Sequence, residues 1–454
     1  MKRFRRWLIG IGIFVLLAVG IALLVRANYD ARVTARLNRE FELLKQAGEP
    51  TDPCLLAPPL VPDDQNAALL YLEAADKFVE PNTIEYTAVY ELTRASAADT
   101  GKYAATLQGL FEKNKEALAL CLRGSELESC RFPQHDEWGY PVPRKQAHLT
   151  PPTLCRVLTA RARLACLLGD VPAACVDCCA ALRFAAHLRQ EAALGIVQLL
   201  LDEVSLECAE FIVSSARLDD EHLRRILQAL VFFKTPDRLA RFLRFDRSLS
   251  VKSYNDYISG VSATQAAYAQ PLEPDEIRMP TAAETALWAR VLFLGDAVWK
   301  NDLGTYLALL REYIAVAEQP YFVALTKLAQ LDSAVQELPE HCVLCKCVLP
   351  TFADWFRDHA CFEARQDILM LGVAVLIYES RNGSLPASLA DLIPDPLARL
   401  PVDPFTGDSY IYRKTKDGFM VYSVGENLKD DGGTPYDPSE GPGEGDISFR
   451  VPGR

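Results

Sequence analysis

Beyond its first six residues the chain has no stripe of lysine and arginine, and its 454 residues carry a formal charge of −12. Binding a phosphate backbone requires a basic surface, so nucleic acid is excluded as the main partner. Common enzyme motifs are lacking too: there is no His-Glu-x-x-His, Gly-x-Ser-x-Gly, Gly-x-Gly-x-x-Gly or P-loop pattern. The six histidines (His135, His148, His187, His222, His341 and His359) fall at no metal-ligand spacing, and His187, on an apolar helix, is expected at the core edge. The run His341-Cys342-Val343-Leu344-Cys345-Lys346-Cys347 offers thiolates and imidazole. A second cysteine pair that would complete a four-ligand zinc site is missing. On a helix Cys342 and Cys345 share a face with leucines, so they are expected to pack in a core. No pattern identifies a small-molecule substrate, and the chain is expected not to be an enzyme.

The basic residues that matter come first. Lys2, Arg3, Arg5 and Arg6 precede Trp7 to Val25, nineteen residues without a charge, closed by Arg26. At a rise of ~1.5 Å per residue this run spans roughly 28 Å, enough for one hydrocarbon core. Residues 1–6 are expected to stay in the cytoplasm, 7–25 to span a bacterial inner membrane once, and the bulk to lie on the periplasmic side. A cleaved signal peptide is the competing reading, but the apolar run is longer than a signal core.

Residues 26–62 are expected to form a stalk helix and a Pro-rich linker. Val33, Leu37, Phe41 and Leu44 make the apolar stripe of the stalk, and Pro53, Pro58, Pro59 and Pro62 break the chain that follows. Residues 63–360 read as helices with short breaks, starting at Asp63, Thr153, Val171, Glu191 and Asp219. One hairpin, with small residues at Ala162, Ala165, Gly169, Ala174, Cys178 and Ala181, is tetratricopeptide-like, whereas a solenoid needs about three repeats. An irregular α-helical domain is therefore expected. Ser253 to Thr281 reads as a loop or partner-binding segment. Thirteen cysteines is an odd total; outside the cytoplasm a pair such as Cys121 and Cys130 could bridge, with connectivity left open.

Residues 361–454 spell a small α+β module. A helical run, Ala364 to Tyr378, is followed by Gly383-Ser384-Leu385-Pro386 and by Leu400-Pro401-Val402-Asp403-Pro404-Phe405. Tyr410 to Arg413 and Phe419 to Ser423 are strand-like runs around Asp417-Gly418, then come Tyr422-Ser423-Val424-Gly425, an acidic Gly-rich loop and Asp446-Ile447. This order resembles the soluble part of the major pseudopilin of type II secretion systems, over about a fifth of the chain. The rest is similar to single-span exported bacterial proteins, which implies topology and no activity. In the pseudopilin family a calcium ion holds the tail loop. The resemblance carries its strand-end carbonyl onto Val424, its first side-chain ligand onto Asn427 and its late acid onto Asp446. Asn427 stands where the family has Asp and Leu428 where it has Gly; Asp430 and Asp431 could compensate. Asp437, Glu440 and Glu444 add further acids, and a solvated loop without an ion is the alternative.

The resulting expectation is a mostly α protein: a transmembrane helix, an irregular helical domain and a pseudopilin-like α+β module. Its function would be structural or protein-interacting, with envelope or secretion-system partners; an exported hydrolase with a site in the helical domain is the alternative. Charged Asp354, Arg357, Asp358 and Glu363 precede the tail helix where filament-forming pseudopilins are apolar, so no filament is expected.

Overall fold

The computed structural model describes residues 2–94, 100–134, 150–190, 195–234, 237–258, 293–339, 342–435 and 445–452. The helices are α1 (Lys2–Gln46), α2 (Ala67–Lys77), α3 (Thr83–Arg94), α4 (Thr100–Lys113), α5 (Lys115–Ser125), α6 (Thr150–Leu167) and α7 (Val171–Leu188). They continue with α8 (Gly195–Ser215), α9 (Asp220–Phe233), α10 (Arg238–Ile258), α11 (Asp296–Ala317), α12 (Tyr321–Gln336), α13 (Val343–Val348) and α14 (Phe352–Asn382). Strands β1 (Ile411–Thr415), β2 (Gly418–Ser423) and β3 (Ile447–Pro452) follow, and short 3-10 turns at Pro53–Leu56, Asp63–Gln65, Leu349–Thr351 and Leu389–Leu392 lie between elements. The chain divides into two compact units. The first comprises Met1–Leu55, Leu243–Val316 and Thr326–Ala353, the second Leu56–Phe242, Ala317–Leu325 and Asp354–Arg454.

In the first unit α1 runs 45 residues without a break. From Gly10 to Val25 its apolar part is largely exposed, with Phe14 and Leu24 each 72% accessible. This helix is long and apolar enough to cross a membrane. Its second half is not a free stalk. Val33, Leu37 and Leu44 are buried, and Gly304 of α11 lies so close that a Cβ there would stand 3.6 Å from the Leu37 Cα. The stripe read from the sequence is real; what it faces comes from more than two hundred residues away. Gly48, at φ +68°, ends the helix in a Schellman turn, with the Glu49 amide donating to the Leu44 carbonyl at 2.9 Å. Glu49 then accepts from Arg244 Nε at 3.1 Å and Arg247 Nη2 at 2.6 Å. The linker is likewise bonded: Ser248 Oγ donates to the Pro50 carbonyl at 3.0 Å. Asp302 of α11 caps α13, accepting from the amides of Leu344 at 2.6 Å and Cys345 at 3.2 Å.

The second unit is built on caps that the sequence announces. Asn66 accepts from the Ala68 amide at 3.1 Å, Asp170 from Ala173 at 3.2 Å and Asp219 from His222 at 2.9 Å, each satisfying an orphan donor of a first turn. Helices α6 and α7 form the expected hairpin through Gly169 at φ +84°, which favours glycine. Helix α6 also lies on α8 and α7 on α9, as adjacent hairpins do, whereas α2 lies on α5, three helices further on, so a repeat beyond the single hairpin is not confirmed.

The tail is not set apart at residue 361. Helix α14 starts at Phe352, and Ile368, Leu369, Leu371, Val373, Ala374 and Ile377 are all buried in the same core as α6 to α9. Strands β1, β2 and β3 lie in that order, antiparallel, with Ile411 opposite Tyr422 and Phe419 opposite Val451. Gly372 lets the sheet approach: a Cβ there would stand 2.7 Å from the Phe449 ring. Tail and helices thus share one core.

Candidate functional site: the tail loop and a buried charge cluster

The loop after β2 brings together most of the residues marked by the sequence. Gly425, at φ +64°, turns the chain directly after half-buried Val424. Leu428 takes φ +55°, a region in which a side chain costs roughly 1–2 kcal/mol, at the position where the resemblance expects Gly. Asn427 Oδ1 accepts from the Lys429 amide at 2.9 Å, and its Nδ2 donates to Asp431 Oδ2 at 2.9 Å. Asp446, fully buried, accepts from the amides of Asp431 at 3.3 Å and Gly433 at 2.7 Å, while its own amide donates to the Thr434 carbonyl at 2.7 Å. Burial raises its pKa and the two amides oppose that rise. The late acid therefore ties the chain end to the loop through amide hydrogen bonds.

Asp430 faces elsewhere. It accepts from Tyr422 Oη at 2.9 Å, the Gly432 amide at 3.0 Å and Arg413 Nη2 at 2.6 Å, and these hold its carboxyl below the usual range, the Tyr422 bond most of all. Among the described residues no three carboxylate, imidazole or thiol groups converge as metal ligands. Calcium takes six to eight oxygens. Asn427, Asp431 and Asp446 do not supply that number, and Asp437, Glu440 and Glu444 lie outside the described residues, as do residues 259–281 of the Tyr-bearing segment. Removing the Asp446 carboxylate should leave two loop amides unmatched and cost about 1–3 kcal/mol. Urea unfolding of Asp446→Ala, with faster amide exchange at Asp431 and Gly433, checks this.

The cysteine run is a packing feature. Cys342 and Cys345 are buried, Cys347 is exposed and His341 lies outside the described residues. Cys345 Sγ donates to the Asp302 carbonyl at 3.5 Å. Cys121 and Cys130 are both buried in the second unit's core. His187 is deeper than a core edge. It is fully buried, its Nδ1 lies 2.8 Å from Tyr71 Oη, and burial with nearby Arg183 pushes its pKa down to about 3.

Two features escaped the sequence. Asp202, fully buried, sits between Arg189 Nε at 3.0 Å and Arg238 Nη2 at 2.7 Å. The Arg189 guanidinium lies 3.9 Å from the Phe233 ring centroid and that of Arg238 4.9 Å from Phe362. Beside them Lys234 Nζ donates to Asp367 Oδ1 at 2.6 Å and Tyr410 Oη to Oδ2 at 3.2 Å. Burial, opposed by Lys234, lifts Asp367 to about 6; burial and the cations Arg238, Arg189 and Lys234 push His359 down to about 3. The clues were Asp202 directly after Leu199-Leu200-Leu201 and Asp367 at the head of an apolar helix, charges where an apolar face must be buried. The second feature is a groove of about 560 Å³ beside the α6–α7 hairpin. Phe111, Leu122 and Leu164 line it, exposed Leu168 and Val176 rim it, and Asp177 in its wall is held by Arg161 through contacts of 2.7 and 2.6 Å.

Comparison with known proteins found no matching family model, no matching curated protein and no matching solved structure.

Proposed function

We propose that this protein is a membrane-anchored structural or protein-interaction component of a bacterial envelope, acting without catalysis and possessing partners among envelope or type II secretion-like proteins. The observation that carries this reading is α1. One unbroken helix begins exposed and apolar and ends as a buried member of the first unit. Cleavage near Val25 would cut inside that helix, which favours a retained anchor over a signal peptide. The bulk then lies on the periplasmic side of the inner membrane, opposite Lys2 to Arg6. A reporter fused after Arg454 should be active outside the cytoplasm, with the native N-terminus still attached. Mature chain beginning near Asn28 would overturn the anchor.

A hydrolase would need an acid in an accessible polar cleft. Asp367 has the raised pKa, but it is fully buried and bonded to Lys234 and Tyr410, which supports a structural role. The apolar groove supports contact with protein. The pseudopilin-like tail, whose helix lies in the common core, would position and bind without forming filaments.

Calcium is proposed as a ligand of the tail loop, held by Val424, Asn427, Asp431 and Asp446, Asp430 being engaged by Arg413. At a hundredfold excess over Kd an ion that binds only the folded state stabilises it by roughly 2.7 kcal/mol. The full chain in detergent should therefore melt higher with calcium than with chelator, and Asn427→Asp should widen the gap. Identical melting curves would leave the solvated loop.

A further inference from the structure

The junction between the two halves of α1 fixes where the first unit sits along the membrane normal. The apolar run ends at Val25 and the helix continues without a break. Each headgroup layer is roughly 5–7.5 Å thick, so at ~1.5 Å per residue it covers about three to five residues beyond Val25. Those are residues 26–30, and the first unit touches the helix there. A Cβ on Gly295 would stand 3.0 Å from Arg26 Nη2, and Lys300 Nζ lies 2.8 Å from Asp30 Oδ1. Tyr254, near the end of α10, has its pKa raised by burial, to which the charges of Asp296 and Asp30 add. The C-terminal turn of α10 and the N-terminal turn of α11 are therefore level with the headgroups.

The residues at this level fit such a layer. Tyr29, Tyr254 and Trp299 are half-buried and Phe293 is 41% exposed. Tyrosine and tryptophan concentrate at membrane–water boundaries, where a ring can be half apolar and half wet. Trp7 marks the opposite boundary, 22 residues before Tyr29 and so roughly 33 Å away along the helix. Acid and base are balanced: Lys300 pairs with Asp30, Lys252 with Asp256 at 3.5 Å, and Arg26 stands at the edge of the apolar run.

We propose that this end of the first unit, from Ser253 to Asp256 on one side and Phe293 to Lys300 on the other, rests on the phospholipid headgroups. The inference depends on α1 spanning the bilayer. The full chain is reconstituted in vesicles of phosphatidylethanolamine and phosphatidylglycerol with the photocrosslinking residue p-benzoylphenylalanine placed singly at exposed positions 293, 255 and 45. Lys45 is exposed on the same helix, roughly 30 Å beyond Val25. Illumination should add the mass of a phospholipid at 293 and 255, with loss of that adduct at 45. Flotation of the vesicles after an alkaline wash tests the anchor by itself, and chain left behind sinks the spanning reading. Chain that floats but gives no lipid adduct at 293 and 255, or cross-links there to a second copy, overturns the headgroup contact while leaving the anchor standing. Two exposed positions are used so that a single misfolded variant does not decide the result.

Discussion

Asp202→Ala is expected to lower the stability of the second unit by about 3–5 kcal/mol, because it strands two buried guanidiniums without their shared carboxylate. Arg189 and Arg238 both point at Asp202, and burial already pulls Arg189 down to about 10. Rotation to water is blocked for Arg189, whose side chain is 3% exposed. Their stacking on Phe233 and Phe362 keeps each cation in place but replaces none of the lost charge. Urea unfolding followed by circular dichroism should show the midpoint falling sharply with little change in slope. Replacing all three residues by apolar ones of similar volume should be far milder, since the pair's desolvation cost disappears with its attraction. A loss below about 1 kcal/mol for Asp202→Ala would mean that the arginines reach other acceptors.

The second large effect is a pH dependence carried by Asp367. Its folded value is raised from 3.8 to about 6, chiefly by burial. The protonated acid is thus favoured by folding, and its contribution is fully present below pH 3.8 and lost as pH rises through about 6. At ~1.4 kcal/mol for each unit between the two values, the loss is about 3 kcal/mol. His187 and His359 act in the opposite sense. Both are held near 3, so the unfolded chain binds their protons first and stability falls as pH drops below about 6.5. The Asp367 contribution is read as the difference between parent and Asp367→Asn. The variant should gain stability relative to the parent as pH rises from 4 to 7, measured by melting temperature across that range. A constant difference would place the Asp367 pKa outside it.

Much of the local structure was legible because the physics is local. Asp170, Asp219 and Asn66 mark helix starts through their own side-chain bonds, and Asp417-Gly418 marks the hairpin, where Gly418 takes φ +129°. The stripe Val33, Leu37, Leu44 showed which face of α1 is buried. It could not show against what, since Gly304, which lies against Leu37, belongs to α11, and so a packed helix reads as a stalk. The same limit hid the tail's place: nothing in residues 361–454 records that α14 is wrapped by α8 and α9 as well as by its own sheet. In the loop, the resemblance marked Asp446 as a calcium ligand; the two amides that donate to its carboxylate were not legible. The Arg189–Asp202–Arg238 cluster draws on three elements, so no window of sequence contains it.

If α1 spans a bilayer as proposed, its continuity also makes bilayer thickness a control on orientation. No proline interrupts it between Lys2 and Gln46, and glycine occurs only in the apolar half. Trp7 to Val25 covers roughly 28 Å, close to an average hydrocarbon core, so the proposed span requires little tilt in an ordinary membrane. A thinner bilayer is met by tilting, and ~20° is common for single helices. Over the roughly 30 Å from Val25 to Lys45 that tilt carries the far end of the helix about 10 Å sideways. The first unit, packed along this shaft, must lean with it, so lipid composition steers the protein as a tiller steers a hull.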